Sequence, residues 1–223
     1  MTDKRTLLGI KNYSYRGQVF PVYFYLKKSG RGQTVRQVYG TVEMYITKKS
    51  TADSINKLLI RSLDLNKNNI LDRPFYKEDE YIYVLGKKKK ITRDPLFKNN
   101  NEYFFISDKC KDPLSVYKKR FISYLKNRML VLGKMMHHDL SSYRIQSAIF
   151  LTYFGCIIPS RKTFKFDFRL FAYKEEILDS VLIHEIAHID HLNHSRDFYN
   201  LVYHYCPDYD ILDSLIKEGR FDG

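Results

Sequence analysis

The strongest chemical signal in the sequence is a group of four histidines and one glutamate within eleven residues, namely His184, Glu185, His188, His191 and His194. On a helix, residues four apart lie on one face about one turn apart, so His184 and His188 can bind the same metal ion. Glu185 would then lie beside the metal, where it can take a proton from a bound water. This spacing predicts a catalytic Zn²⁺ site with Glu185 as the general base.

A catalytic zinc site needs a third protein ligand, and His191 and His194 are the two candidates. On a continuous helix His191 would share the face of His184 but lie about 10.5 Å away along the axis, which disfavours three ligands around one ion. His194 is favoured if the helix breaks near Leu192-Asn193, because asparagine tolerates the left-handed conformation that ends many helices. His191 stays the alternative, and as a fourth ligand it would turn the site into a closed, structural one.

The residues around these histidines form a longer pattern, HEIAHIDHLNHS followed by RDFYNLVYHYCPDYD. This pattern resembles the YgjP-like metallopeptidase family, a relative of the SprT-like and WLM zinc peptidases. In that family a HExxH helix is followed by an Asn-His-Ser turn, an aromatic helix and a Pro-Asp-Tyr segment. The corresponding residues here are Asn193-His194-Ser195, Phe198 and Pro207-Asp208-Tyr209, and the resemblance is densest from about Tyr143 to Gly223.

The resemblance implies that zinc is bound by His184, His188 and His194. The sequence departs from the family just before the helix, where Trp-Gly-Ser-Cys is usual. Here the chain has Tyr153-Phe154-Gly155-Cys156 and contains no tryptophan. The departure does not involve the implied metal ligands.

These residues together predict a zinc-dependent hydrolase, in the first place a metallopeptidase that acts on a peptide or protein substrate. Tyr203, Tyr205 and Tyr209 are the nearest candidates in sequence for stabilising an oxyanion. A second hypothesis is a metal-dependent nucleotide phosphohydrolase, which would need Lys or Arg close to the zinc. A third is a non-enzymatic nucleic-acid-binding protein with a vestigial zinc site, whose binding would survive the loss of Glu185.

The composition restricts the partners and the compartment. Lysine and arginine total 38 against 25 acidic residues, a net charge of +13, which is typical of proteins that contact nucleic acid and equally of a solvated lysine-rich surface. Non-specific nucleic acid is therefore a candidate partner, although the run Lys87–Lys90 is more typical of a solvated turn. Neither a signal peptide nor a membrane span is evident, which predicts a cytoplasmic protein without a membrane partner. The three isolated cysteines indicate neither a disulfide framework nor a thiolate zinc site.

The predicted fold class is α+β, a zincin-like metallopeptidase domain in which the HExxH helix packs on a small sheet, with an N-terminal β-rich subdomain. The subdomain is assigned to residues 1–107 and the catalytic domain to residues 108–223. Asp112-Pro113 predicts a helix start, since Asp is a favoured N-cap and proline suits the first helical position. That helix is expected to end near Met136.

Two strands are predicted just before the metal helix, Arg144–Phe154 and Thr163–Leu170, paired around a turn at residues 159–162. In the second strand four apolar residues alternate with Lys165, Asp167 and Arg169, which predicts one core face and one solvent face. The metal helix is expected to begin near Tyr173–Glu175, with an apolar surface below the metal. Ser195 is expected to cap the helix that follows.

Overall fold

The protein has an α+β architecture, with five α-helices and three small sheets in the part of the chain that the computed structural model describes. This agrees with the predicted class. The described residues are 6–15, 18–27, 32–38, 41–64, 75–77, 80–98, 100–110, 112–150 and 153–222. None of the helices in these ranges combines the length and the apolar character needed to cross a membrane.

The chain divides into two compact units. The first comprises Met1–Asp72 with Ile149–Tyr153, and the second comprises Arg73–Ala148 with Phe154–Gly223. The predicted boundary between residues 107 and 108 lies inside the second unit. The division into a β-rich subdomain and a catalytic domain at that boundary stays a prediction.

The first unit is a four-stranded sheet with one helix. Its strands are β1 (Thr6–Tyr15), β2 (Gln18–Leu26), β3 (Thr34–Val38) and β4 (Thr41–Ile46), in the spatial order β1-β2-β4-β3, and they precede α1 (Ala52–Asp64). The sheet and the helix share one apolar core, because these segments alternate or repeat apolar residues with the period of their secondary structure. Its buried members are Val22, Phe24, Val42, Met44 and Leu59.

The second unit contains the HExxH helix and two further sheets. Its first sheet consists of β5 (Tyr76–Lys77), β6 (Tyr81–Val84), β7 (Lys87–Thr92) and β8 (Tyr103–Phe105), in that order. The long helix α2 (Pro113–Met135) follows, and then β9 (Arg144–Ala148), β10 (Gly155–Ile158) and β11 (Thr163–Asp167) form the second sheet in the order β10-β11-β9. The remaining helices are α3 (Glu175–Ala187), α4 (Arg196–Tyr205) and α5 (Tyr209–Lys217).

Helix starts are where the sequence was most informative. The side chain of Asp112 accepts a hydrogen bond from the backbone N–H of Leu114, and α2 begins at Pro113 as predicted. Ser195 likewise accepts from the N–H of Phe198 and caps α4. A short polar side chain that satisfies a free N–H is a local interaction, so a sequence of a few residues is enough to predict it.

The strand prediction before the metal helix is wrong in its pairing. Only the first part of the segment Arg144–Phe154 is a strand, β9, and the next strand, β10, begins after it at Gly155. The residues between the two strands, Ile149–Tyr153, belong to the first unit. Strand β11 lies between β9 and β10, antiparallel to β10 and parallel to β9. A continuous run of β-forming residues does not reveal where its pairing partner changes.

The predicted solvent face of the second strand is also wrong. Strand β11 ends at Asp167, and residues Phe168–Ala172 form a 3₁₀ helix. Asp167 and Arg169 are buried, at 0% and 1% exposure, and the Arg169 guanidinium donates to both oxygens of the Asp167 carboxylate. A charged residue can be buried when it is paired and hydrogen-bonded in this way, and alternation alone does not distinguish such a pair from a wet face.

Candidate metal centre

Helix α3 is buried on almost all of its surface. From Ile177 to His188, every residue is buried except His184 and His188, which are partly exposed. A helix that is apolar all round belongs in a protein core, so its few accessible polar side chains mark an opening to that core. Beyond its exposed first turn, the helix is therefore accessible only at the two histidines that the sequence predicts as ligands.

His194 completes a cluster with these two histidines. One ring nitrogen from each of His184, His188 and His194 lies within 4.8 Å of the others, the one metal-binding group of three or more such residues found in the described chain. The Nε2 atoms of His184 and His194 are 3.0 Å apart. Nitrogen ligands of a tetrahedral zinc ion lie ~3.4 Å apart, so three imidazoles at this spacing suit a divalent metal in size and in chemistry.

The other ring nitrogens of the two helical histidines are occupied by hydrogen bonds. The Nδ1 atom of His184 is 2.7 Å from the hydroxyl of Tyr209 on α5, and Nδ1 of His188 donates to the backbone carbonyl of His191 at 2.9 Å. A hydrogen bond at Nδ1 fixes the orientation of an imidazole and leaves Nε2 available to a metal. Burial, with smaller effects from the charges of the other two histidines, lowers the pKa of His184 to about 3, so this ring stays neutral.

The side chain of His191 does not join the cluster, but its backbone carbonyl has a role that the sequence did not predict. Its backbone carbonyl holds His188, whereas its side chain is not among the clustered nitrogens. Helix α3 ends at Ala187, earlier than the predicted break near Leu192-Asn193. Among the described residues, positive φ occurs at three non-glycine positions and Asn193 is not one of them, so the expected left-handed asparagine is wrong.

The ring of Phe198 lies against all three imidazoles. Its ring centroid is 4.9 Å from His184, 4.5 Å from His188 and 4.9 Å from His194, and the side chain is fully buried. From the sequence, Phe198 is only a member of the aromatic helix of the family pattern, because helical periodicity shows which face is buried and not what that face contacts. An apolar ring below the cluster also excludes water from one side of it.

The buried side chain of Glu185 lies against β10. It is 6% exposed, and burial raises the pKa of its carboxyl to about 8, although a hydrogen bond from the backbone N–H of Ile157 opposes this shift. A methyl group at Gly155 would lie 2.9 Å from Cγ of Glu185 and 2.9 Å from Cδ1 of Phe166. Glycine at this position therefore lets the strand approach the helix closely enough to hold the carboxylate.

The first half of α3 is attached to α2 by ionic contacts. The Arg128 guanidinium donates to both oxygens of the Asp179 carboxylate and also lies 3.3 Å from Glu175. The hydroxyl of Tyr124 donates to Glu175 at 2.6 Å. These contacts fix the axial position of α3, and with it the height of His184 and His188 relative to α4 and α5.

Comparison with protein families identifies the chain. The model of the YgjP-like, metallopeptidase domain matches residues 52–218, well over half of the 223 residues. The chain belongs to the YgjP-like metallopeptidase family. This confirms the resemblance predicted from the HExxH helix and the segments that follow it. Comparison with curated proteins and with solved structures gave no match.

The match to the YgjP-like metallopeptidase domain supports the assignment of the protein as a metal-dependent hydrolase. Membership of this family implies a divalent metal. The three-histidine cluster is present where such a metal would bind. Besides Phe198, sequence reasoning missed the role of Tyr209, which it considered only as an oxyanion donor. The Pro-Asp-Tyr segment of the family pattern was the signal that could have drawn attention to it.

Proposed function

We propose that the protein is a zinc peptidase in which His184, His188 and His194 bind the metal and Glu185 is the general base. One observation carries the proposal: three imidazole nitrogens lie close together, and Glu185, which follows His184 on α3, has a buried carboxyl group. Three imidazoles with an open fourth position are the ligand set of a catalytic rather than a structural zinc site. A divalent ion bound there supplies a Lewis acid, which acidifies water and polarises a carbonyl group.

Glu185 has the properties that proton transfer requires. Its hydrogen bond from Ile157 fixes the carboxyl group, and its burial raises its pKa, so that it accepts a proton more readily than an exposed glutamate does. Glu185 takes the proton of the attacking water and passes it to the amine that leaves. Tyr209 and the carbonyl of His191 hold the two helical imidazoles in place while this happens.

The open edge of the strand beside Glu185 favours a peptide over a nucleotide as substrate. The shifts in the pKa of His184, Glu185 and His188 arise from burial, hydrogen bonds and the other histidines, and no described lysine or arginine contributes to them. A phosphoanhydride needs positive side chains next to the metal. Strand β10, which holds Glu185, is also at the edge of its sheet, where an extended peptide can add as a further strand.

The experiment compares Glu185→Gln with Glu176→Gln, an exposed glutamate on the same helix. Both zinc-loaded variants are assayed on casein and on a pool of fluorogenic peptides. We expect Glu185→Gln to keep its zinc and lose about 10²-fold or more of the turnover, and Glu176→Gln to behave like wild type. Unchanged turnover in Glu185→Gln would rule out this mechanism, and cleavage of nucleoside triphosphates instead of peptides would rule out the substrate class.

A further inference from the structure

The four consecutive lysines of β7 lie on two opposite faces of their sheet. Side chains alternate along a strand, so Lys87 and Lys89 share one face and Lys88 and Lys90 the other. Lys89 pairs with Ile82 of β6, which is fully buried, so its face is the one turned toward the core. Lys88 and Lys90 are exposed on the opposite face. The predicted lysine turn is in fact a strand, and the turn that precedes it is Leu85-Gly86, where both residues have positive φ.

The face of Lys88 and Lys90 also carries aromatic rings. In the register of the sheet, Lys88 is opposite Tyr83, while Lys90 lies between Tyr81 on one neighbouring strand and Tyr103 on the other. The Nζ atom of Lys88 is 4.0 Å from the centroid of the Tyr81 ring, and the Tyr81 and Tyr83 rings are 6.0 Å apart. All three tyrosines are partly exposed. We call these five residues the lysine–tyrosine face.

The positive charge of this face is not neutralised by the described residues around it. Lys88 and Lys90 form no ion pair in the described chain, whereas Lys77 on β5, two strands away in the same sheet, pairs with Glu80. Cations also lie near the opposite face, since burial and then the nearby charges of Lys87 and Arg120 lower the pKa of Lys89. A sheet that bears several uncompensated cations attracts an anionic partner.

We propose that the lysine–tyrosine face binds single-stranded nucleic acid. Lysines contact the phosphates of a flexible strand, and tyrosine rings between them stack on its unpaired bases, which a duplex keeps inside its helix. The rings distinguish this partner from an anionic membrane, for which charge alone would be enough. The proposal is independent of the peptidase assignment, because none of these five residues belongs to the metal centre.

The test measures binding of a fluorescent dT12 oligonucleotide by anisotropy at salt concentrations from about 50 to about 200 mM. We expect Lys88→Ser/Lys90→Ser to weaken binding about tenfold and to reduce the salt slope by about 1.4, since each phosphate contact contributes about 0.7 on a single strand. Lys87→Ser/Lys89→Ser removes the same charge from the same strand on the opposite face. We expect this variant to keep most of the salt dependence of binding. Tyr81→Leu should weaken binding about tenfold with little change in slope, because it removes stacking and no charge.

Several results would overturn the proposal. Equal losses in the two double-lysine variants would show that only the net charge matters. Tighter binding of a 12-base-pair duplex, or binding of phosphatidylserine vesicles and not of the oligonucleotide, would assign the face to another partner. Absence of dT12 binding up to ~100 µM protein at low salt would also overturn the proposal, because even ordinary non-specific contact is detectable at that concentration. Thermal unfolding and zinc content, unchanged in all variants, serve as the control for folding.

Discussion

Each imidazole on α3 is oriented by a partner from a different part of the chain. The carbonyl that holds His188 comes from the turn after the helix, and the hydroxyl that holds His184 comes from Tyr209 on α5. For Nε2 to bind a metal, the proton of each ring must be on Nδ1, where these two oxygens accept it. At the scale of single residues, the metal centre therefore depends on groups that do not themselves touch the metal.

Tyr209→Phe tests this dependence. The substitution removes one oxygen and keeps the ring, so His184 loses its hydrogen bond with little change in packing. We expect zinc affinity to fall about 10- to 100-fold, the usual effect of losing a hydrogen bond to a metal-binding histidine. The affinity is measured by competition with a chromophoric chelator, which needs no substrate.

Tyr203→Phe is the matched control, because the Tyr203 hydroxyl bonds to the exposed Asp210 and not to a histidine. It should leave the zinc affinity unchanged. If the two variants bind zinc equally well, Tyr209 does not position His184 and this part of the account is wrong.

At the scale of elements, the contact between α2 and α3 is expected to be a main source of stability for the site. The side chains of Arg128 and Asp179 are 29% and 13% exposed, so their ion pair is neither fully buried nor freely solvated. Arg128→Met leaves the Asp179 carboxylate largely buried and unpaired. We expect the free energy of unfolding to fall by about 2 kcal/mol, between the values typical of exposed and of fully buried pairs. Lys126→Met, on an exposed position of α2, is the control in urea unfolding.

The loss in Arg128→Met should also depend on pH. Burial raises the pKa of Asp179 even with Arg128 in place, and removal of the guanidinium raises it further. A carboxyl whose pKa is higher in the folded than in the unfolded state favours folding at low pH and loses that contribution as the pH rises. The deficit of Arg128→Met should therefore be smaller near pH 4 than at pH 7, and a deficit that grows on acidification would contradict the assignment.

The elements also show why some features followed from the sequence and others did not. The caps of α2 and α4 and the HExxH spacing are local, so a few residues determine them. The parallel pairing of β9 with β11 and the buried Asp167–Arg169 pair depend on residues that are distant in sequence or on burial that alternation does not reveal. The early end of α3 could not be predicted either, because the turn from His188 to Asn193 contains no glycine or proline that would mark it.

For the whole molecule, the family match locates the catalytic domain, whereas the net charge does not locate any site. The match covers residues 52–218 and includes the metal centre, the lysine–tyrosine face and α1, whereas the strands β1–β4 precede it. The net charge of +13 belongs to the whole chain and gives no position for a partner. The register of β6, β7 and β8 provides that position. The proposed nucleic-acid surface therefore depends on the structure, whereas the proposed zinc site could be predicted almost entirely from the sequence.

The zinc content of two histidine variants tests whether His184, His188 and His194 form the metal centre. His191→Ala removes a side chain outside the cluster and keeps the carbonyl that holds His188, whereas His194→Ala removes a member of the cluster. Each protein is purified, exchanged into metal-free buffer and analysed for zinc per chain by mass spectrometry. We expect about one zinc in the wild type and in His191→Ala, and little in His194→Ala, as for a site with three protein ligands. Loss of zinc from His191→Ala with retention in His194→Ala would contradict the proposed centre.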